Sequence, residues 1–245
     1  PNRSIIEAKT LESILVPAFD RYYSMYKLLT VLPGSPTEFS GDKLGATGYE
    51  SKAKNYHQQN RNVIHWEWLS DDKYKFVKTF SDNIEEISRL RKNPKLSALN
   101  NGATVTLPVV TENGRFNEKL QSFLRYDDNG SVVIALCDLA GANQSYDKQM
   151  ARTDTKTSSE TGSLYDRIVL CPPGSNTKQG LKHGMKAGTV FKSTRKGDNS
   201  VYKIATMVKD GKEYYYLKRE DAQGRELPIT IKPEDLNTLV LYKDR

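Results

Sequence analysis

Four consecutive residues, Lys209-Asp210-Gly211-Lys212, put two amines and a carboxylate within reach of one another. Two kinds of chemistry use such a set. Nucleotidyl transfer through a lysine needs one intervening residue before Asp-Gly, but here Asp210 follows Lys209 directly. A metal-dependent nuclease of the pattern Asp…Asp-x-Lys would use Asp198, Asp210 and Lys212, with carboxylates holding Mg²⁺ and the amine orienting water. That chemistry wants its second carboxylate and its lysine side by side on a strand. Asp210-Gly211 instead flanks the bend between two alternating runs, and Asp-Gly supplies the positive φ of a two-residue hairpin. The stretch reads as a hairpin tip.

The other candidate sites read similarly. Asp42 with Glu50-Ser51-Lys52, and Asp138 with Asp147, match the nuclease pattern only nominally and read as solvated surface charge. His57, His65 and His183 are the only histidines, and none pairs with another or with cysteine at a ligand spacing. His65 reads as a structural histidine. No Gly-x-Ser-x-Gly elbow is present. "GDKLGATG" and "PPGSNTKQG" carry glycines and lysines but lack the Gly-Lys-Ser/Thr ending of a phosphate-binding loop. Cys137 and Cys171 each close an apolar run and read as buried thiols in a reducing, cytoplasmic setting. No cofactor or metal is expected.

Bases mixed with aromatics point elsewhere. The net charge is +7, from 37 Lys and Arg against 30 Asp and Glu. From Leu181 onward 14 Lys and Arg face 9 acids, so an excess of 5 sits in the last quarter. Lys192, Arg195, Lys196, Lys203, Lys209, Lys212, Lys218 and Arg219 gather on two hairpins, beside the tyrosines of "EYYYLKR". Residues 49–80 form a second mixed region, in which Trp66 and Trp68 would share one face of a strand. Bases attract phosphate, and exposed aromatic rings stack on unpaired bases.

The elements that must position these residues read as α+β. Residues 10–31 place Leu11, Ile14, Leu15, Ala18, Tyr22, Met25 and Leu29 at helical spacing, with Thr10 as N-cap and Pro17 expected to kink the helix or split it in two. Residues 62–80 alternate and predict two strands joined at Ser70-Asp71-Asp72, followed by a short helix over 81–92 that Ser81 or Asp82 caps. "ATVTLPVV" predicts a strand at an edge or with a bulge, because Pro108 lacks a donor. Phe116, Leu120, Phe123 and Leu124 suggest a helix, "SVVIALCDLAG" a buried strand, and "SLYDRIVLCPPG" another. From Gly188 five short strands with tight turns suggest a small, partly closed barrel of SH3 or OB size.

The chain thus divides into a mixed α/β part over 1–149, a polar linker or loop over 150–163, and a basic β-rich part over 164–245. No run approaches the roughly 18 apolar residues of a membrane helix, and no signal-peptide pattern opens the chain. The expected function is a non-enzymatic nucleic-acid-associated protein that contacts phosphate through the C-terminal hairpins. The alternatives are a metal-dependent nuclease with carboxylates drawn from distant segments, and an assembly or inhibitor protein that docks on a protein partner.

Overall fold

A computed structural model describes residues 8–38, 41–45, 64–107, 109, 120–138, 168–171, 186–209, 211–227, 229, 231, 235–236 and 238–244; at 8, 168–171, 207, 209 and 212–214 it describes backbone only. The segment 150–163, His57, His183, Glu50, Lys52, Asp147, Asp210 and Phe116 lie outside these residues, as does the "PPGSNTKQG" loop.

Helix α1 spans Ala8–Val31 and runs unbroken through Pro17. It turns inward Leu15, Phe19, Tyr23, Tyr26 and Val31, not the face expected from its aliphatic residues. Ile14, Met25 and Leu29 are exposed. The aromatic stripe wins because it meets Phe80 of α2, with centroids 3.7 Å away for Phe19 and 4.9 Å for Tyr23.

Helix α2, Lys75–Arg89, corrects the expected strands over 62–80. Val77, Phe80, Ile84 and Ile87 are buried at spacings of three and four, so the 3.6 period overrides the short alternation. Ahead of it Trp66–Leu69 and Asp72–Tyr74 are 3-10 turns, and Asp71 caps the second by accepting from the Lys73 amide at 3.0 Å. The four-residue helix α3, Ala98–Asn101, follows.

The described strands form one antiparallel sheet. They are β1 Ala103–Leu107, β2 Leu120–Tyr126, β3 Val132–Asp138, β4 Ile168–Cys171, β5 Val190–Ser193, β6 Val201–Lys209, β7 Lys212–Glu220, β8 Glu226–Leu227 and β9 Thr238–Lys243. Their order is β1-β2-β3-β9-β5-β6-β7-β4, with β8 beside β7. β3 forms where the continuous apolar run predicts it, and β1 ends the order as an edge strand should. β2 replaces the expected helix. It is covered on both faces, so alternation is lost from its sequence.

One face of β3 and β9 carries the helical layer, with Val31, Leu96 and Leu99 packed on Val133, Ala135, Cys137 and Val240. The opposite face buries Leu107, Leu124, Ile134, Leu241, Phe191, Tyr202 and Leu217 in a single cluster. These residues come from strands across the whole sheet, and no described helix joins the cluster, so the sheet buries this face by curling on itself. Its end strands β1 and β4 approach each other without pairing. The sheet is therefore open. The expected C-terminal barrel does not form, because its last strand β9 pairs with β3 on one side and β5 on the other.

Two guanidiniums close helix ends here, Arg91 that of α1 and Arg125 those of α1 and α3 together. Arg125 of β2 is 1% exposed and donates to the carbonyls of Val31 (3.0 Å), Gly102 (3.0 Å) and Leu99 (3.4 Å). Arg91 donates to those of Thr30 (2.8 Å), Leu32 (2.7 Å) and Gly34 (2.6 Å). The last carbonyls of a helix lack intrahelical donors and carry its negative end, so charged donors bind there strongly.

Candidate nucleic-acid interface

The hairpin of β6 and β7 organises the lysines. Lys209 pairs with Lys212, which leaves a two-residue loop, and Gly211 has φ +71°. This is the bend that Asp-Gly predicts. Directly opposed residues of an antiparallel pair share a face. Lys203 opposes Lys218, Ala205 opposes Tyr216, Met207 opposes Tyr214 and Lys209 opposes Lys212, all on one face. The register continues it sideways, from Lys203 to Val190 and from Lys192 to Tyr242. It is the face that carries the helical layer farther along, where Val240 packs on Leu99. Over β5, β6 and β7 the same face presents Lys192, Lys203 and Lys218.

Each of these amines has an internal counter-charge. Lys203 meets Glu220 at 2.6 Å, and Lys218 meets Glu220 at 2.9 Å and Glu226 at 3.4 Å. The two hydrogen bonds hold the Glu220 carboxyl below the ordinary carboxylate range, and the bond to Glu220 raises the Lys218 amine. Lys192 meets Asp244 at 2.9 Å, and the exposed Lys196 reaches Glu86 of α2 at 2.8 Å. The pairs of Lys192 and Lys196 are open to solvent, whereas Glu220, 8% exposed, holds Lys203 and Lys218 from a largely covered position.

The two arginines sit elsewhere. Arg219 opposes Tyr202, whose ring is in the curled core, so the period of two turns it away from Lys218. Its side chain is 14% exposed, donates to Ser200 Oγ at 3.0 Å, and lies 3.8 Å from Asp198 and 5.9 Å from the Tyr202 ring centroid. Arg195, 11% exposed, binds both carboxylate oxygens of Asp235, through Nε at 2.8 Å and through Nη2, and lies 3.6 Å from Asp198. Tyr202 Oη donates to Asp198 at 3.0 Å, and Asp198 Oδ1 accepts from the Ser200 amide at 3.0 Å. This network fixes the turn between β5 and β6. Asp198 is a structural carboxylate here; of its two nuclease partners, Asp210 lies outside the described residues and Lys212 is described by its backbone only.

Trp66 and Trp68 do not share a face, because a 3-10 turn replaces the expected strand. Trp68 lies between His65 (4.6 Å) and Tyr74 (4.9 Å) and packs on the helical core. Trp66 is 61% exposed and is the ring of the two that is open to stacking. His65 bonds Glu67 at 2.7 Å. In the "GDKLGATG" loop Leu44 is buried among the helices and Asp42 accepts from Tyr22 Oη at 3.2 Å, so this part closes on α1.

A groove of about 660 Å³ runs between α2 and strands β5 and β9. Arg89, Leu90, Asn93, Ser193, Lys196 and Tyr242 line it, with Asp82, Glu85 and Glu86. Lys95 lies 5.5 Å from the Tyr242 ring centroid. Arg89 and Lys95 stand at this groove, but Arg89 pairs with Glu85 at 3.0 Å, so the lining carries charge of both signs. Their only sequence signal is the run of bases that ends α2, which also suits the helix dipole.

Among the described residues no group of three or more His, Cys, Asp or Glu stands close enough to hold a metal ion, and no helix is long and apolar enough to cross a membrane. No protein-family model matches the chain, and no curated protein is significantly similar to it.

Proposed function

We propose that this is a non-enzymatic nucleic-acid-associated protein whose β6–β7 hairpin lies against a phosphate backbone. The observation that carries the proposal is the register, which opposes Lys203 to Lys218 and Lys209 to Lys212 on one face of one hairpin. Glu220 already serves as counter-charge to Lys203 and Lys218, and a phosphate would take over that role. The two pairs are six residues apart, about 20 Å along the strand. That length spans about six nucleotides of duplex rise. Binding would release condensed counterions, with Glu220 yielding its lysines to phosphate. Lys192 and Lys196 flank the hairpin on β5 and its turn, and Trp66 offers a stacking surface. Arg195 and Arg219 support this face by fixing the turn beneath it. Fluorescence anisotropy with labelled DNA and RNA oligonucleotides tests the proposal: affinity should fall steeply as KCl rises from 50 to 300 mM, and an absence of binding overturns it.

A second reading, a subunit that docks on a protein partner through α1, is supported by the exposure of Ile14, Met25 and Leu29 on that helix. Light scattering that finds a stable oligomer, dispersed by Met25→Glu, would favour it.

A further inference from the structure

The end of the β6–β7 hairpin extends past its described neighbours. On one side β5 pairs with β6 only at Tyr202 and Lys203, and backbone bonds to Thr189 and Gly188 carry contact as far as Ile204. On the other side β4 pairs with β7 from Leu217 to Tyr215. The next three rungs, Met207↔Tyr214, Val208↔Glu213 and Lys209↔Lys212, therefore form a two-stranded ribbon among the described residues. Val208 is 74% exposed, the most exposed large apolar side chain among them. A β-branched residue held in water at a hairpin end contributes nothing to the core.

We infer that this ribbon enters the major groove of B-form duplex DNA; the inference rests on the nucleic-acid reading above. Strands lie about 4.8 Å apart, so a two-stranded ribbon with its side chains fits a groove about 12 Å wide. The deep, narrow major groove of an A-form RNA duplex excludes it. With the tip in the groove, Lys209 and Lys212 stand near the phosphates that wall it. Val208 is placed for apolar contact with a thymine methyl. Lys203 and Lys218, farther back on the face of Lys209 and Lys212 and opposite to that of Val208, reach flanking phosphates.

The test compares a 24-base-pair DNA duplex, an RNA duplex of the same sequence and the single DNA strand, by anisotropy at 100 mM KCl, with dimethyl sulfate footprinting of guanine N7. The expected result is DNA duplex binding at least tenfold tighter than either other ligand, with N7 protection. Val208→Asp with Lys209→Ala and Lys212→Ala should lose the protection and most of the preference, with the melting temperature unchanged. Equal affinity for the DNA and RNA duplexes, preference for the single strand, or N7 protection that is absent or survives in the variant overturns the ribbon inference. In those cases salt-dependent binding that needs Lys203 and Lys218 still supports the proposed function. Failure to bind any of the three ligands overturns both.

Discussion

Replacing Arg125 with methionine keeps an unbranched stem in the core and removes the guanidinium that ties the ends of α1 and α3 together. Three carbonyls then lose their donor: Val31 and Gly102, each held at 3.0 Å, and Leu99, held at 3.4 Å. A buried acceptor left without a partner costs about 1–3 kcal/mol, and the longest bond contributes least. Burial of the guanidinium, which lowers its pKa, offsets part of the loss because methionine has no charge to desolvate. The net expectation is a loss of about 3 kcal/mol, or roughly 6–12 °C in melting temperature for a chain of this size. Urea unfolding followed by tryptophan fluorescence and far-UV circular dichroism measures it, with the slope against denaturant unchanged. Arg125→Lys should fall between, since one ammonium cannot reach three carbonyls in separate directions. Arg91→Met, at a more exposed position, should cost less. The double variant should depart from additivity, because both side chains serve one helix end. Arg89→Met, which removes a solvent-exposed ion pair with Glu85, is the control and should leave the urea midpoint nearly unchanged. If Arg125→Met matches that control, the helix-closing account is wrong.

Glu220→Gln should tighten nucleic-acid binding several-fold in anisotropy titrations, because it frees Lys203 and Lys218 from their counter-charge; weaker binding would mean that these lysines do not meet phosphate. Burial pushes the Lys27 amine down to about 8, so the unfolded state binds more protons between that value and the ordinary amine range, and stability rises with pH across this window. Cys137, pushed up to about 11 by burial, acts in the opposite direction. In a Cys137→Ala background the urea midpoint should therefore rise from pH 7.5 to 9.5, and Lys27→Met should remove the rise. Gly102→Ala would drive a Cβ to 2.3 Å from the Ala98 carbonyl oxygen and 2.7 Å from that of Tyr126. Both are backbone atoms, so calorimetry should show a loss of about 2 kcal/mol or more, and a neutral result would contradict the packing described for this corner.

What the sequence made legible follows from how local each signal is. The hairpin tip was readable because Asp210-Gly211 and its flanking alternation lie within a few residues. β3 was readable because six strand residues in a row, Val132 to Cys137, are apolar and buried. Residues 74–77 misled because Tyr74, Phe76 and Val77 fit a short alternation, and only Phe80, Ile84 and Ile87 downstream reveal the helical period. β2 misled because two apolar layers cover it, which leaves Leu120, Phe123 and Leu124 at helix-like spacing. The lysine face was legible as composition, since register partners on a tight hairpin are close in sequence. The removal of Arg195 and Arg219 from that face was not. Asp235 lies 40 residues from Arg195, and nothing near Arg125 announces a carbonyl 94 residues away. Contacts of that range are set by the sheet order, above all by β9 between β3 and β5.

The central claim is that the hairpin lysines neutralise phosphates, and the slope of log affinity against log KCl measures that number directly. Each phosphate contact contributes about −0.7 to −0.9 to the slope, so four lysines predict a value near −3. Lys209→Ala with Lys212→Ala should make the slope shallower by about 1.5, and adding Lys203→Ala and Lys218→Ala should bring it close to zero, with the fold intact by circular dichroism. A slope near zero in the unaltered protein, or one that none of the four substitutions changes, would contradict the account.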